Sequence, residues 1–415
     1  MLRIAMLSYH TCPLATLGGK DTGGMNVYVR DLTRELGRMG IHVDVFTRSQ
    51  DEHVPHVLHD LGYGNRVVHV AAGPEVPVAK RELPEYIPQF VEGIKAFAAE
   101  KGIHYDLIHS HYWMSGLAAE ALKEAWGVPV VHMFHTLGEM KNRVARTDAE
   151  RESPQRIAGE KRVLANADRI IVATLAEHSQ LRFLYKASNS KLVVIPPGVD
   201  TSHFYPMASD EAKQFIGLKP EDRMVLFVGR IEALKGVDTL IRAMSCLKFE
   251  DVHRPVHLAI IGGEPDANPH EMSIEMARLQ KLCDELCLGQ MVVFLGKRGQ
   301  DTLPYYYSAA EVVVMPSLYE SFGMVALEAM ACGTPVIASE VGGLGFLVQD
   351  GETGFTVPDG EPDKLCEKLL LLLGDLHLRQ TMGRRAAQYA LSYDWEKIAA
   401  QIVDVYESLV KVKEI

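Results

Sequence analysis

The chain predicts an α/β protein made of two doubly wound parallel sheets. Three observations carry that expectation. At 415 residues the chain exceeds what one hydrophobic core usually serves, so two domains are expected. Short apolar strands alternate with helical stretches, the pattern of a parallel sheet. The series then restarts half-way, at MVLFVGR (224–230).

The first series opens with RIAMLSY (3–9), a buried strand. Met25, Val29, Leu32 and Leu36 then recur at helical spacing, and Gly40 is a stop signal. HVDVFTR (42–48) returns to strand alternation. LIHSH (107–111), a helix near 115–125, PVVHMFH (129–135), IIVAT (170–174) and LVVIP (192–196) continue it. The second series runs from MVLFVGR through a helix in GVDTLIRAMSCL (236–247). Strands in HLAIIGG (257–263), MVVFLG (291–296), EVVVMPS (311–317) and TPVIAS (334–339) follow. The expected division is therefore two Rossmann-like domains, residues 1–197 and 198–391, joined near IPPGVDTSHF (195–204). An amphipathic tail, 392–415, has no strand after it and packs back onto a domain already built. Such sheets bind ligands beyond the carboxyl ends of their strands, so a cleft between the two is the expected site.

A hydrophobic fraction of 47% with 23% charged residues is that of a soluble globular protein. The net charge of −11 argues against a general nucleic-acid or anionic-membrane binder, while leaving room for a local basic pocket. Neither the N-terminal apolar run, which His10 interrupts, nor KLLLLLG (368–374) is long enough for a signal peptide or a membrane span. The six cysteines show no paired metal spacing, and Cys283 and Cys287 read as packing residues. A reduced, cytoplasmic setting is expected.

The loops after strands carry the chemistry. Gly23 and Gly24 end a long loop and open a helix, where backbone amides can meet an anion; a plain turn is the alternative. The loop is not G-x-G-x-x-G, so no dinucleotide site is expected. In GRIEALKG (229–236), Arg230 and Lys235 offer a diphosphate a bidentate fork and a point charge, against the alternative of a solvated pair. In PSLYESFGMVALEAM (316–330), Glu320 and Glu328 stand eight residues apart. With FGMVALEAM as helix, Glu320 falls at its N-terminus and the two side chains differ in direction by roughly 80°. A shared reacting atom is then not expected. Each could also be an ordinary helix carboxylate.

Together, Gly23-Gly24, G-R-x4-K-G (229–236), E-x7-E (320–328), GTPVIAS and VGG resemble the retaining family 4 glycosyltransferases of GT-B fold, over essentially the whole chain. The resemblance implies two Rossmann-like domains facing across a cleft, with the closing helix crossing back to the N-terminal one. It implies transfer of a sugar from a nucleotide-sugar with retained configuration. Arg230 and Lys235, helped by the amides near Gly23 and Gly24, match the diphosphate ligands. Glu328 matches the ribose ligand, Glu320 the residue at the donor sugar, and Arg298 a position near the uracil of UDP. His135 matches a histidine at the donor sugar's primary hydroxyl, and His10 joins the donor set. Catalytic roles are expected of Arg230, Lys235, His135 and Glu320. Fixed cations would take the charge that develops on the diphosphate, so no cofactor is expected to be required. No D-x-D motif stands in a fitting loop, and a bound magnesium without catalytic role stays open.

SYHTCPL, DTGGMNVYVRDL and HTLGEMKN are most similar to a subgroup that acts on inositol phosphate. On that match Lys80, Tyr112, Thr136 and Arg156 hold the acceptor phosphate, and Lys20, Asp21 and Asn26 contact ring hydroxyls. Ser153 and Pro154 read as the start of a helix, which places Arg156 in its first turn. The sucrose-phosphate synthases, which take fructose 6-phosphate, share much of this pattern and stay open as an alternative, the donor sugar being N-acetylglucosamine or glucose. A non-catalytic nucleotide-sugar-binding protein and a phosphorylase are rival classes. No nucleic-acid partner is expected, and the chain is left open between monomer and homodimer.

Overall fold

The computed structural model describes residues 2–16, 22–247, 256–267 and 272–410. The chain divides into two compact units. One takes in the chain up to Ala15, Gly24–Gly198 and, from Trp395, the closing helix. The other takes in Val199–Asp394 and the short segment ending at Gly23.

The sheet of the first unit holds, among the described residues, β1 (Arg3–Leu7), β2 (His42–Arg48), β3 (Val57–Leu58), β4 (Arg66–Val70), β5 (Leu107–His111), β6 (Val130–Met133), β7 (Arg169–Val172) and β8 (Leu192–Val194). Their order is β3-β4-β2-β1-β5-β6-β7-β8. β3 pairs antiparallel with β4, and β1 runs parallel to both its neighbours. Ile4, Ala5, Met6 and Leu7 are all buried because helices cover both faces, which explains an unbroken apolar run instead of alternation. The chain order reverses direction between β1 and β5. At such a switch point the loops part and leave a crevice.

The helix Gly24–Arg38 buries Val29, Leu32 and Leu36, as their spacing predicts. The closing helix Trp395–Val410 belongs to this unit. The Tyr406 hydroxyl meets His109 Nδ1 at 2.6 Å, and the Trp395 ring stands edge-on to Tyr28, centroids 5.3 Å apart.

The sheet of the second unit holds β9 (Arg223–Val228), β10 (Val256–Ile261), β11 (Val292–Gly296), β12 (Val312–Met315), β13 (Val336–Ser339) and β14 (Gly354–Val357). The order is β11-β10-β9-β12-β13-β14, and its described pairs are parallel. Here the switch lies between β9 and β12. The loops carrying Arg230, Lys235 and Glu320 leave these two strands.

Two readings of the sequence need correction. The helix of the E-x7-E stretch begins only at Met324, because Gly323 precedes it with φ 106°, outside helical space. Glu320, in the loop LYES (318–321), therefore stands before the helix and not at its N-terminus, and the two glutamates do not share a helix. The reduced-thiol reading fails for Cys246 and Cys366, which form a disulfide between the helices Val237–Leu247 and Pro362–Gly374. Their 120-residue separation gives no spacing signal. Cys283 is buried in the core and Cys287 is exposed. Among the described residues no helix is long and apolar enough to cross a membrane.

Candidate active site

In the first unit, the strand ends at the switch point carry two residues in unusual backbone conformations. Tyr112, after β5, has φ 72° and ψ 152°, and His135, after β6, has φ 62°. Such conformations cost a side-chain-bearing residue roughly 1–3 kcal/mol and cluster where function dictates geometry.

Around Tyr112 four stretches of chain converge. The Ser153 hydroxyl accepts the Arg156 amide at 3.2 Å, with Pro154 opening the helix Pro154–Asn166. The expected cap is thus present, and Arg156 lies in the first turn with 2% of its surface exposed. Its Nε donates to Glu160 Oε1 at 2.8 Å and its Nη1 to Glu152 Oε1 at 2.7 Å. Its Nη2 donates to the Thr136 carbonyl at 2.9 Å and hydroxyl at 3.0 Å. The guanidinium lies 4.9 Å from the centroid of the Tyr112 ring, and the Lys80 ammonium 4.8 Å from the same centroid. Lys80, Tyr112, Thr136 and Arg156 therefore form one cluster. Burial alone would lower the Arg156 pKa, but Tyr112, Glu160 and Glu152 outweigh it and hold the pKa above its ordinary value. The His10 ring packs against Tyr112 at a tilt of 41°, with centroids 4.5 Å apart. Asn26 is buried, and its amide nitrogen donates to the Thr11 hydroxyl and the Cys12 carbonyl, both at 2.7 Å, tying down the loop after β1. Lys20 and Asp21 lie outside the described residues.

Behind His135 lie three fully buried histidines. His109, His111 and His132 have their pKa values pushed down by burial first and by mutual repulsion second, so they are neutral at physiological pH. Burial pushes His135 the same way. His111 Nδ1 and His135 Nε2 are 3.0 Å apart, while His111 Nε2 is buried without a hydrogen-bond partner among the described residues. A bare lone pair is cheaper to bury than an orphaned N–H. The proton thus belongs on His111 Nδ1, donating to His135 Nε2. His135 then carries its own proton on Nδ1.

In the second unit, Lys235 ends a short turn, Ala233–Lys235, closed by Gly236 at φ 64°. A Cβ on Gly236 would stand 2.0 Å from the Pro316 carbonyl oxygen, so the two loops approach backbone to backbone. The Leu318 amide donates to the Leu234 carbonyl at 2.8 Å and locks them together. Lys235 Nζ consequently reaches Glu320 Oε2 at 2.5 Å. Arg230 pairs with Glu232 at 2.7 Å, and a Cβ on Gly23 would lie 3.7 Å from Arg230 Nε. Glu328 is buried elsewhere. Its carboxylate accepts from Gln300 Nε2 at 3.0 Å and the Tyr307 hydroxyl at 2.7 Å. Burial and the Glu328 charge push the Tyr307 pKa well up, which keeps that hydroxyl a donor. Arg298 donates to the Tyr306 hydroxyl at 3.0 Å and the Lys297 carbonyl at 2.9 Å.

Residues 22–203 match the family model of glycosyltransferase family 4, and residues 208–389 that of glycosyl transferases group 1. A D-inositol 3-phosphate glycosyltransferase of Corynebacterium urealyticum is 38% identical over 417 residues, covering 100% of this chain and 97% of the relative. One from Catenulispora acidiphila is 39% identical, covering 97% and 94%. The chain belongs to the family 4 glycosyltransferases. Among solved structures, sucrose-phosphate synthase from Thermosynechococcus elongatus matches with a TM-score of 0.90 and 37% identity, over 99% of this chain and 100% of that one. The fold is therefore GT-B and the protein a glycosyltransferase.

The motifs point to Arg156 but not to the carboxylates that hold it. Glu160 is fully buried and accepts from Arg156, the Gly138 amide at 3.0 Å and the Tyr185 hydroxyl at 2.5 Å. Glu152 accepts from Lys141 Nζ at 2.6 Å as well as from Arg156. Glu160 stands four residues from Arg156 on the same helix, the spacing at which helical side chains meet, and that signal was available; Glu152 precedes the helix and had none. Tyr185 and Tyr307 gave none, since their roles depend on tertiary contacts.

Proposed function

We propose that this glycosyltransferase moves N-acetylglucosamine or glucose from a UDP-sugar to a phosphorylated polyol, inositol phosphate first, with the anomeric configuration retained. The observation that carries the reading is the convergence of Lys80, Tyr112, Thr136 and Arg156 at the first unit's switch point. Two cations, a hydroxyl and a strained aromatic residue suit a phosphate group. The names of the full-length relatives support the same acceptor.

On this reading Arg230, Lys235 and the amides at Gly23 and Gly24 bind the donor diphosphate. Glu328 accepts the ribose hydroxyls, and Glu320 the hydroxyls of the donor sugar, its pairing with Lys235 aligning both. Arg298 lies near the uracil, with His10 completing the donor set. Asn26, Lys20 and Asp21 serve the acceptor ring. Bond cleavage builds negative charge on the β-phosphate, which the fixed cations stabilise without reorganising, so no metal is required. His135, oriented by its contact with His111, is the residue matched to the donor sugar's primary hydroxyl. Attack comes from the face the diphosphate leaves, and the departing phosphate takes the acceptor's proton. The proposal includes a cytoplasmic location, since both substrates are charged and water-soluble, and leaves the chain monomeric or homodimeric.

Likeness to sucrose-phosphate synthase across 99% of the chain supports one second reading, glucose transfer to fructose 6-phosphate. A donor-by-acceptor matrix decides between them. UDP-, GDP- and ADP-sugars are tested against inositol phosphate, fructose 6-phosphate and their unphosphorylated counterparts. Inositol phosphate with a UDP-sugar should turn over fastest; preference for fructose 6-phosphate would install the second reading.

A further inference from the structure

Within the phosphate cluster, Arg156 has little left to offer. Of its five N–H groups, Nε is spent on Glu160, one Nη1 hydrogen on Glu152, and Nη2 on the two oxygens of Thr136. A bidentate hold on a phosphate needs two donors side by side. Glu160 cannot yield, being fully buried and held by two further donors. Thr136 is itself part of the expected phosphate set. Glu152 is different. It is half-buried, with 23% of its side chain exposed, and stands just before the helix cap. One of its oxygens, Oε1, takes both Lys141 at 2.6 Å and Arg156 at 2.7 Å.

Burial would raise the Glu152 pKa, yet Arg156, Lys141 and Lys80 together hold it below the ordinary carboxylate value. The carboxylate thus sits ionised at the point where three positive charges converge. That is the position an anionic ligand would seek.

Building on the acceptor-phosphate reading above, we propose that Glu152 is a resident surrogate for the phosphate group. An arriving phosphate displaces it from Arg156 and Lys141, and Lys141 becomes a further phosphate ligand. No bond is made or broken; one oxyanion exchanges for another. The exchange gives discrimination. A dianionic phosphate outcompetes the tethered carboxylate, whereas a neutral polyol or a free monocarboxylate does not, so an unphosphorylated acceptor meets a site already closed by its own anion.

Inorganic phosphate is the direct probe, titrated calorimetrically into the full-length enzyme and scored as a competitive inhibitor against the phosphorylated acceptor. Glu152→Gln should tighten phosphate binding and lower the acceptor KM about fivefold, the scale of one half-exposed ion pair, with kcat unchanged. Lys141→Met should weaken both by a similar factor. The outcome that overturns the proposal is a Glu152→Gln variant whose phosphate affinity is unchanged or weaker, as a carboxylate that merely braces Arg156 requires. Lys80→Met separates this from the underlying reading: if it leaves phosphate affinity and acceptor KM intact, the acceptor site itself is misplaced and the proposal falls with it.

Discussion

Arg156 serves the fold and, as proposed, the acceptor phosphate, and mutation can part the two roles. Arg156→Met alone leaves Glu160, which has no exposed surface, short of its cation. Breaking a buried pair from one side costs about 3–5 kcal/mol. Glu160 keeps the Gly138 amide and the Tyr185 hydroxyl, which places the expected loss near the lower end, about 3 kcal/mol. The double variant Arg156→Met with Glu160→Gln removes both charges and keeps the volume, so stability should return to within about 1 kcal/mol of the parent. Function should not return. Two charge-assisted hydrogen bonds to phosphate are lost in either variant, so acceptor KM should stay raised about 100-fold in both, with donor KM within about threefold of the parent. Urea unfolding midpoints report the first quantity, and steady-state kinetics at saturating UDP-sugar the second. A double variant that recovers stability and acceptor KM together would refute the reasoning, as would a single variant as stable as the parent.

Other outcomes follow from the same structure. Glu177 is fully buried, accepts from the Ala173 amide at 2.7 Å, and is pushed by burial from 4.5 up to about 7. Its folded pKa lies above the unfolded one, so its contribution to stability is complete below about pH 4.5 and is lost as pH rises through 7, about 3 kcal/mol in all. Glu177→Gln should match the parent in melting temperature near pH 5 and exceed it at pH 8; a pH-independent offset would contradict this. Glu328→Gln should raise donor KM about tenfold and leave acceptor KM alone, because it weakens one acceptor of ribose hydroxyls, as product-release kinetics with varied UDP-sugar would show. Thiol titration of the purified, denatured chain should find four free thiols before reduction and six after it, given the Cys246–Cys366 bond. Six before reduction would remove that bond from the account.

Much of the fold was legible because central parallel strands are apolar on both faces. β1, β9 and β12 stand out as apolar runs bounded by polar loops, while β5, LIHSH, buries two histidines and a serine. β3 and β14 carry little pattern, being two or four residues at a sheet edge, whereas β4 was legible: RVVHV is bounded by Gly64-Asn65 and Gly73-Pro74. Starting the helix at Phe322 set Glu320 at its N-terminus; Gly323 was the signal that the helix starts later, at Met324. At the site, cations announced themselves by type and spacing in loops. Glu160, on the helix of Arg156, was legible from its i,i+4 spacing; Glu152, Tyr185 and Tyr307 were not, since their roles exist only once separate segments fold together.

The central claim is that the first unit's cluster reads a phosphate on the acceptor. With one UDP-sugar held saturating, kcat/KM for inositol phosphate over that for inositol measures it most directly. Two or three charge-assisted hydrogen bonds predict a ratio of about 1,000 or more. A ratio near one would contradict the account.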